Sequence, residues 1–468
     1  MKINNQAYEQ SFGAAKIVTG SAHLLDSTKS KILIDCGMFQ GVNEHLNYEP
    51  LGFNPREIEA LILTHGHLDH VGRIPLLYKY GFKGKVFAHP ATFDIAKVVL
   101  MDSAKLQEED YQTRYKKAQR RGKEKFVRKP LYTRDEVKKI FKKMRKIEIK
   151  YNQKVKITKD IKAVFKDAGH ILGSAFVEIE FENFGIKKHV VFSGDLGNKD
   201  NEILPPPKKP AVADALFIES TYGDRNHKSF EESKLEFKKA IIETLLSGGN
   251  IIIPTFAIER AQQLLCLLKE MSEEKSLPKE AKVFLDSPMA NKVTAIYKKW
   301  YKLLSKKCQK FKKHPFEFPQ LKLIKDVEES KKINDIHRNA VIIAGSGMCT
   351  GGRILHHLKH RIWNPKNSIL FVGYQAKGTL GREIIEGAKF IKIFHEEIIV
   401  RAKIYTINGF SAHADQRELL EWMSEFDRLN RIFLIHGEYD KQLVFKSVIK
   451  NFLNKKAHIV EMGEKIYL

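Results

Sequence analysis

The feature that most constrains this chain is a short segment that follows the apolar run Leu61–Leu63 and contains four candidate metal ligands, His65, His67, Asp69 and His70. Side chains repeat every two residues in extended backbone, so the first two histidines point the same way as the chain leaves a strand. A helix predicted over residues 71–80 would turn the other two ligands toward a second position. Imidazole and carboxylate groups suit zinc-like ions. We therefore expect a two-metal centre at a strand end. The alternative is a polar loop whose histidines cap the following helix.

A two-metal centre needs more ligands, and three other apolar, strand-like runs end in suitable residues. These are His170, Asp195 and His436. Because α/β proteins build their sites at the carboxyl ends of strands, this shared position favours one common site. Taken singly, a strand-end histidine or aspartate is more often a turn or hydrogen-bonding residue.

The pattern His-x-His-x-Asp-His with a later lone His and Asp resembles the metallo-β-lactamase superfamily. Three further motifs resemble its β-CASP nuclease branch. Motif A contains Glu219, motif B contains His413, and motif C contains His436. The match extends from Phe12 almost to the C-terminus and is closest to bacterial and archaeal relatives of the 3′-end cleavage endonuclease of polyadenylation. The resemblance implies a metallo-β-lactamase αββα sandwich with an inserted doubly wound α/β β-CASP domain.

The resemblance also implies a ligand set for two Zn²⁺ ions, with Mn²⁺ as an alternative metal. One ion would be held by His65, His67, His170 and Asp195. The second would take Asp69, His70 and His436, with Asp195 shared between the two. Asp35, at the end of another strand-like run, would orient a ligand from behind. The simpler reading of Asp35 is a strand-end turn residue.

The charges of such a centre predict its chemistry. Two zinc ions carry four positive charges and the two aspartates cancel two, so a metal-activated hydroxide should form near neutral pH. The surplus positive charge would stabilise the negative charge that gathers on the oxygens of a phosphodiester in the transition state. Asp69 is predicted to be a catalytic residue as well as a metal ligand. His413, assisted by Glu219, is predicted to protonate the leaving oxygen. The products would carry 5′-phosphate and 3′-hydroxyl ends. This chemistry does not require a 2′-hydroxyl, so it does not exclude DNA.

The net charge of +25, from 81 basic and 56 acidic residues, favours a polyanionic partner. Dense basic runs occur at Arg114–Lys150 and Lys298–Lys313. A lysine-rich composition with solvated faces is the alternative. The sequence shows no membrane-spanning or signal-like apolar stretch, and its four cysteines are far apart. These features predict a cytoplasmic protein with no membrane partner.

The order of strand-like and helical segments predicts three parts. Residues 1–206 and 389–468 would form the metallo-β-lactamase domain, and residues 207–388 the inserted β-CASP domain. The proline-rich stretch of residues 204–210 lies near the first boundary. Beyond it, short apolar runs alternate with helix-length segments, as in a doubly wound domain.

Two glycine-rich turns in the predicted insertion are candidates for RNA or phosphate binding, because their free amides lie near a predicted helix start. The candidate residues are Ser346, Gly347, Gly351, Gly352, Arg353, Lys377, Gly378 and Arg382. Such turns are common without any ligand.

These features predict a metal-dependent nuclease, and the resemblance to a branch that mostly processes RNA implies a zinc-dependent ribonuclease that acts in RNA processing or decay. It would be an endonuclease with room for 5′-to-3′ exonuclease activity, and its partner would be RNA, single-stranded by preference. A homodimer is compatible with the sequence. The alternatives are a DNA nuclease or small-ester hydrolase on the same metal core, and a non-catalytic RNA-binding scaffold.

Overall fold

The computed structural model describes residues 6–311 and 314–468, so Lys312 and Lys313 of the second basic run lie outside it. Its strands are β1 Tyr8–Ser11, β2 His23–Asp26, β3 Lys31–Ile34, β4 Ala60–Ile62, β5 Lys85–Ala88, β6 Arg145–Glu148, β7 Lys154–Lys156, β8 Lys162–Asp167, β9 Ala175–Asn183, β10 Ile186–Phe192, β11 Val212–Glu219, β12 Ile251–Pro254, β13 Lys282–Asp286, β14 Leu321–Leu323, β15 Ala340–Ala344, β16 Ser368–Phe371, β17 Phe390–Ile393, β18 Glu396–Ile399, β19 Lys403–Thr406, β20 Arg428–Ile435, β21 Ala457–Ile459 and β22 Lys465–Tyr467.

The α-helices are α1 Leu68–Val71, α2 Ile74–Lys79, α3 Pro90–Gln119, α4 Arg134–Lys143, α5 Phe230–Leu246, α6 Arg260–Glu273, α7 Pro288–Lys299, α8 Lys306–Gln309, α9 Val327–Lys332, α10 Arg353–Arg361, α11 Leu380–Ile385, α12 Gln416–Ser424 and α13 Tyr439–Leu453. Short 3₁₀ turns occupy Gly41–Tyr48, Pro55–Glu57, Glu124–Phe126, Tyr301–Leu303 and Ile333–Asp335. Within the described residues, no helix is both long enough and apolar enough to cross a bilayer.

The chain divides into two compact units. The first runs through Lys199 and includes Pro206–Asn226 and His413–Leu468, and the second consists of Asp200–Pro205 and His227–Ala412. The strand that ends in Glu219 falls in the first unit, and the limits of 207 and 388 for the insertion stay a prediction. All the candidate metal ligands and His413 belong to this first unit.

The first unit is a sandwich of two seven-stranded sheets. One has the strand order β22-β1-β2-β3-β4-β5-β6, and the other β21-β20-β11-β10-β9-β8-β7. Strand β11 shows how the core between the sheets is filled. Its Phe217 enters the core between the sheets and stacks on Phe192 and Phe433, with ring centroids 4.8 and 4.9 Å apart.

The opposite face of β11 is also covered. Leu216 and Ile218 pack against Leu419 of α12 and Phe445 of α13. A strand buried on both faces reads as a continuous apolar run, which is how residues 215–218 appear in the sequence. The predicted αββα sandwich is confirmed.

The second unit is built on a six-stranded sheet with the order β14-β13-β15-β12-β16-β19. Each of its neighbouring strand pairs is parallel. Helices α10 and α11 pack on β12 and β16 through Ile354, Leu358 and Ile384. The predicted doubly wound α/β architecture is confirmed, and a two-stranded hairpin of β17 and β18 adjoins it in sequence.

Candidate metal centre

The loop after β4 bears four of the predicted ligands, and its path differs in one respect from the sequence prediction. The single helix predicted over residues 71–80 is wrong, because the segment forms two short helices, α1 and α2, separated at Gly72–Arg73. Pro75 lies in the first turn of α2, where its missing N–H costs nothing. The Arg73 guanidinium is buried and donates hydrogen bonds to the carbonyls of Gly37 and Gly20, which fixes the break.

Asp35 holds this loop in place. Its carboxylate accepts hydrogen bonds from the backbone N–H of Thr64 at 2.8 Å and from the Thr64 hydroxyl at 2.7 Å. Its Oδ2 also lies 2.7 Å from Nδ1 of His70, so Nε2 of that ring faces the centre. Asp35 adopts φ of 59°, a left-handed conformation that aims the carboxylate across to the next strand. It is therefore placed to orient both the loop and a ligand.

The first donor group brings together His65, His67, His170 and Asp195. Nδ1 of His67 lies 3.1 Å from Nε2 of His65 and 3.2 Å from Nε2 of His170. Oδ2 of Asp195 lies 3.4 and 3.5 Å from the same two Nε2 atoms. A tetrahedral zinc ion with bonds of about 2.0 Å needs its ligand atoms about 3.3 Å apart, so this group fits such an ion.

The second donor group consists of Asp69, His70 and His436. The two Nε2 atoms are 3.2 Å apart, and Nε2 of His436 lies 3.6 Å from Oδ2 of Asp69. Oδ1 of Asp195 lies 3.4 Å from Nε2 of His70 and 3.6 Å from Nε2 of His436. Asp195 thus faces one donor group with each of its oxygens.

Asp195 provides a test of whether the donor set fits a metal ion. Its Oδ1 is buried and accepts no hydrogen bond from any described residue. An unsatisfied buried carboxylate oxygen is costly unless a metal ion or another positive group completes its environment. Burial alone would raise the pKa of Asp195, but the surrounding His436, His70 and His65 rings hold it well below its usual range. The residues present therefore fit a bound metal.

Glu219 and His413 form a third group beside the metal ligands. Nδ1 of His413 lies 3.2 Å from both carboxylate oxygens of Glu219 and 4.0 Å from Oδ2 of Asp195. Burial opposes charge on this imidazole, yet the Glu219 carboxylate raises the pKa of His413 to about 9. The backbone N–H of Leu196 donates to Glu219 at 2.7 Å and fixes the carboxylate. The arrangement gives a charged imidazole that can donate a proton.

Sequence reasoning missed one residue that supports a ligand. The Thr221 hydroxyl lies 3.1 Å from Nδ1 of His436 and 3.2 Å from the His436 carbonyl oxygen. If the hydroxyl donates to the carbonyl, its lone pair accepts from Nδ1–H and leaves Nε2 free to bind a metal. Thr221 stands two residues after Glu219, but nothing in the sequence links it to a histidine 215 positions away.

The predicted phosphate-binding residues lie in the second unit. Ser346, Gly347, Gly351 and Gly352 form the loop between β15 and α10. Arg353 does not extend into solvent from this loop, because its Nη1 lies 2.5 Å from Oδ1 of the buried Asp286. Lys377 and Gly378 are exposed in the segment after β16, and Arg382 pairs with Glu386 at 2.7 Å.

Comparison with known proteins matches three segments of the chain to family models. Residues 16–248 match the metallo-beta-lactamase superfamily, residues 261–384 the Beta-Casp domain, and residues 397–467 the Zn-dependent metallo-hydrolase RNA specificity domain. A ribonuclease of Thermus thermophilus is 40% identical over 97% of this chain and 98% of its own length. Transcription termination factor FttA of Methanocaldococcus jannaschii is 32% identical over 96% of this chain and 69% of its own length.

A solved structure of a protein of unknown function from Enterococcus faecalis V583 has a similar fold. It covers 99% of this chain and 100% of its own at a TM-score of 0.53 and 12% sequence identity. At that identity the similarity concerns the fold alone.

Proposed function

Because this chain belongs to the β-CASP family of metallo-hydrolases with the metallo-β-lactamase fold, we propose that it is a zinc-dependent ribonuclease that hydrolyses RNA phosphodiester bonds. The observation that carries the proposal is the pair of donor groups that share Asp195, with the charged His413 beside them. A non-catalytic RNA-binding scaffold would need neither group.

We assign two Zn²⁺ ions to the two donor groups, with Mn²⁺ as an alternative metal. Three imidazoles and one carboxylate oxygen in the first group are typical zinc ligands. The second group adds two imidazoles and the Asp69 carboxylate, and Oδ1 of Asp195 faces it. Bound zinc would activate water near neutral pH and stabilise negative charge on the phosphodiester oxygens.

The protein's own groups supply the proton transfer. With a pKa near 9, the His413 imidazole is charged at neutral pH and can protonate the leaving oxygen. The Glu219 carboxylate keeps the ring charged and fixes its orientation through Nδ1. Asp35 and Thr221 act from behind the ligands and hold His70 and His436 in the tautomers that a metal needs.

RNA is the proposed substrate for two reasons. The C-terminal part of the chain matches the RNA specificity domain, and the relative from Thermus thermophilus is named a ribonuclease. We propose cleavage within single-stranded RNA, with 5′-to-3′ exonuclease activity in addition. Cytoplasmic location, a homodimeric state and the domain limits of 207 and 388 stay predictions.

The test combines metal analysis with cleavage assays. Purified protein is analysed for zinc and incubated with end-labelled RNA and DNA of matched sequence, beside His67→Ala and His413→Ala variants. We expect two zinc ions per chain, cleavage of RNA, loss of zinc in His67→Ala, and retained zinc with little cleavage in His413→Ala. Absence of RNA cleavage at any zinc or manganese concentration would refute the proposal, and faster cleavage of DNA would favour the DNA nuclease.

A further inference from the structure

The first unit contains a basic, solvent-exposed projection that the metal centre does not explain. Helix α3 is 30 residues long, about 45 Å at 1.5 Å per residue. Its side chains are buried only as far as Ala104, and the rest of the helix lies on the surface. We call residues 109–129, the end of α3 and the loop after it, the basic arm.

The basic arm carries a dense run of positive charge. Between Arg114 and Lys129 the chain has nine lysines and arginines and one acidic residue, Glu124. All nine basic residues are exposed. Arg114 pairs with Asp110 at 2.8 Å, but the other eight make no ion pair with any residue in the described ranges. Like charges one helical turn apart, such as Lys116 and Arg120, repel each other, so this pattern does not help the fold.

Aromatic side chains are interspersed with these charges. Phe126 is 85% exposed in the short turn after α3, where it gains almost nothing from burial. Tyr111 and Tyr115 lie next to each other on α3, with ring centroids 5.7 Å apart. The Arg128 guanidinium lies 4.2 Å from the centroid of the half-exposed Tyr48 ring. Cations with exposed rings are the combination that holds the phosphates and bases of single-stranded nucleic acid.

The arm is anchored rather than loose. The chain that follows it is tied back to α3 by three contacts. The Tyr132 hydroxyl lies 3.0 Å from the Ser103 hydroxyl, the Leu131 N–H donates to Gln107 at 2.9 Å, and Arg134 pairs with Glu108 at 2.6 Å. These contacts give the exposed charges a defined position on the first unit.

The other end of α3 supports the loops that carry the metal ligands. The Thr92 hydroxyl donates to the carbonyl of Gly173 at 2.6 Å, three residues after His170. Ile95 packs so closely against Gly66, between His65 and His67, that a Cβ there would lie 2.7 Å from Ile95 Cγ2. From Ile95 to Gln119 the helix advances about 36 Å. One continuous helix therefore connects the metal loops to the basic arm.

From this charge, these aromatic rings and this connection we infer that the basic arm is a docking surface for single-stranded RNA, separate from the metal centre. The inference rests on the proposed ribonuclease function. RNA held along the arm would be positioned relative to the metal loops by a single rigid element. Contacts from lysine and arginine to phosphates give affinity that depends on salt and not on sequence.

Binding of a fluorescein-labelled, unstructured 30-nucleotide RNA tests this inference. The zinc-loaded full chain is used in a His413→Ala background, so that the RNA stays intact. The arm variant replaces Arg120, Arg121, Lys123 and Lys125 with glutamine. The matched control replaces four other exposed lysines of the first unit with glutamine, Lys83, Lys156, Lys159 and Lys162, which removes the same charge. Thermal melting checks that both variants are folded.

We expect the arm variant to raise Kd at least about tenfold at 0.1 M salt, and the control to change it less than twofold. The association constant falls as salt rises, and the plot of its logarithm against log salt should be less steep by about 2.8 in the arm variant. Each of the four lost contacts to single-stranded RNA reduces the magnitude of the slope by about 0.7. Equal Kd values and equal salt slopes for the arm and control variants would overturn the inference. It would also be overturned if the arm variant lost affinity for duplex DNA but not for the single-stranded RNA.

A second pair of variants tests the stacking contribution without changing charge. Phe126→Ala should weaken RNA binding about fivefold or more, with an unchanged salt slope. The control is Phe184→Ala, which removes another exposed ring, 73% accessible, from the first unit. Equal effects of the two substitutions would count against the arm. If the unsubstituted protein neither binds nor cuts RNA, the proposed function itself fails, whereas RNA cleavage with an indifferent arm refutes only the docking surface.

Discussion

Replacing Glu219 by glutamine should show whether Glu219 acts by keeping the His413 imidazole charged. The substitution keeps the size of the side chain and the oxygen that accepts from Leu196, but removes the charge 3.2 Å from Nδ1 of His413. Burial is then opposed only by the carboxylates of Asp195 and Asp69, so the pKa of His413 should fall from about 9 to near its ordinary value of 6.5. The charged form is the proton donor, so the fall in activity at high pH should move to lower pH by about 2.5 units.

The size of the effect depends on pH. At pH 8 a group with a pKa of about 9 is about nine-tenths charged, and one with a pKa of 6.5 is about 3% charged, which gives a loss of about 30-fold. At pH 6 the charged fraction is about 75% or more in both forms, so the loss from protonation is less than about twofold. Bound metal ions lower the pKa of His413 in both proteins, so the separation between the two profiles is the quantity to compare.

The assay is the rate of cleavage of end-labelled RNA by zinc-loaded protein from pH 5.5 to 9.5, under single-turnover conditions. Zinc content and thermal melting are measured for both forms, since Glu219 is fully buried. Two pH profiles of the same shape, offset only in height, would refute the argument that Glu219 acts through the charge of His413. Loss of zinc in Glu219→Gln would assign the residue to the metal centre instead.

Three further substitutions test the metal centre. Asp195→Asn removes the negative charge of the carboxylate that faces both donor groups. Bound zinc, measured by elemental analysis, should fall from two ions per chain to one or none, and retention of two ions would contradict a shared ligand. Thr221→Val removes the hydroxyl near His436 and should lower the affinity for one of the two ions about 10-fold to 100-fold, measured by competition with a chelator. Thr221→Ser keeps the hydroxyl and should bind zinc as the parent protein does. Gly37→Ala places a Cβ 1.5 Å from the Asp69 carbonyl oxygen. We therefore expect the free energy of unfolding, measured in urea, to fall by at least about 1–3 kcal/mol and the affinity for zinc to fall. An unchanged urea midpoint would contradict this contact.

Much of the fold follows from local patterns in the sequence. Apolar runs that end in a polar residue predicted strands such as β10 and β11, and the structure has strands there. The run of residues 215–218 is apolar on both faces because a sheet covers one side and α12 and α13 cover the other. The break between α1 and α2 was also visible in principle, since Pro75 is better placed at a helix start than inside one.

The supporting contacts of the candidate site depend on long-range packing that single motifs do not reveal. Thr221 and His436 meet because β11 and β20 are parallel neighbours in one sheet, and strand order cannot be read from either motif. Arg353 looked available for a phosphate, but Asp286 at the end of β13 pairs with it from 67 residues away. Motifs predict which side chains can take part in chemistry, whereas strand order determines which neighbours engage them.

The position of the inserted unit in the chain has a consequence for biosynthesis. The first donor group is complete once Asp195 has been made, but from His227 to Ala412 the chain belongs to the second unit, and it returns to the first only at His413. At about 5–20 residues per second, the ribosome needs roughly 10–40 s to reach His436 from His227. Until then the emerging polypeptide lacks both its proton donor and a ligand of the second donor group. The second donor group therefore forms only after most of the chain has been made.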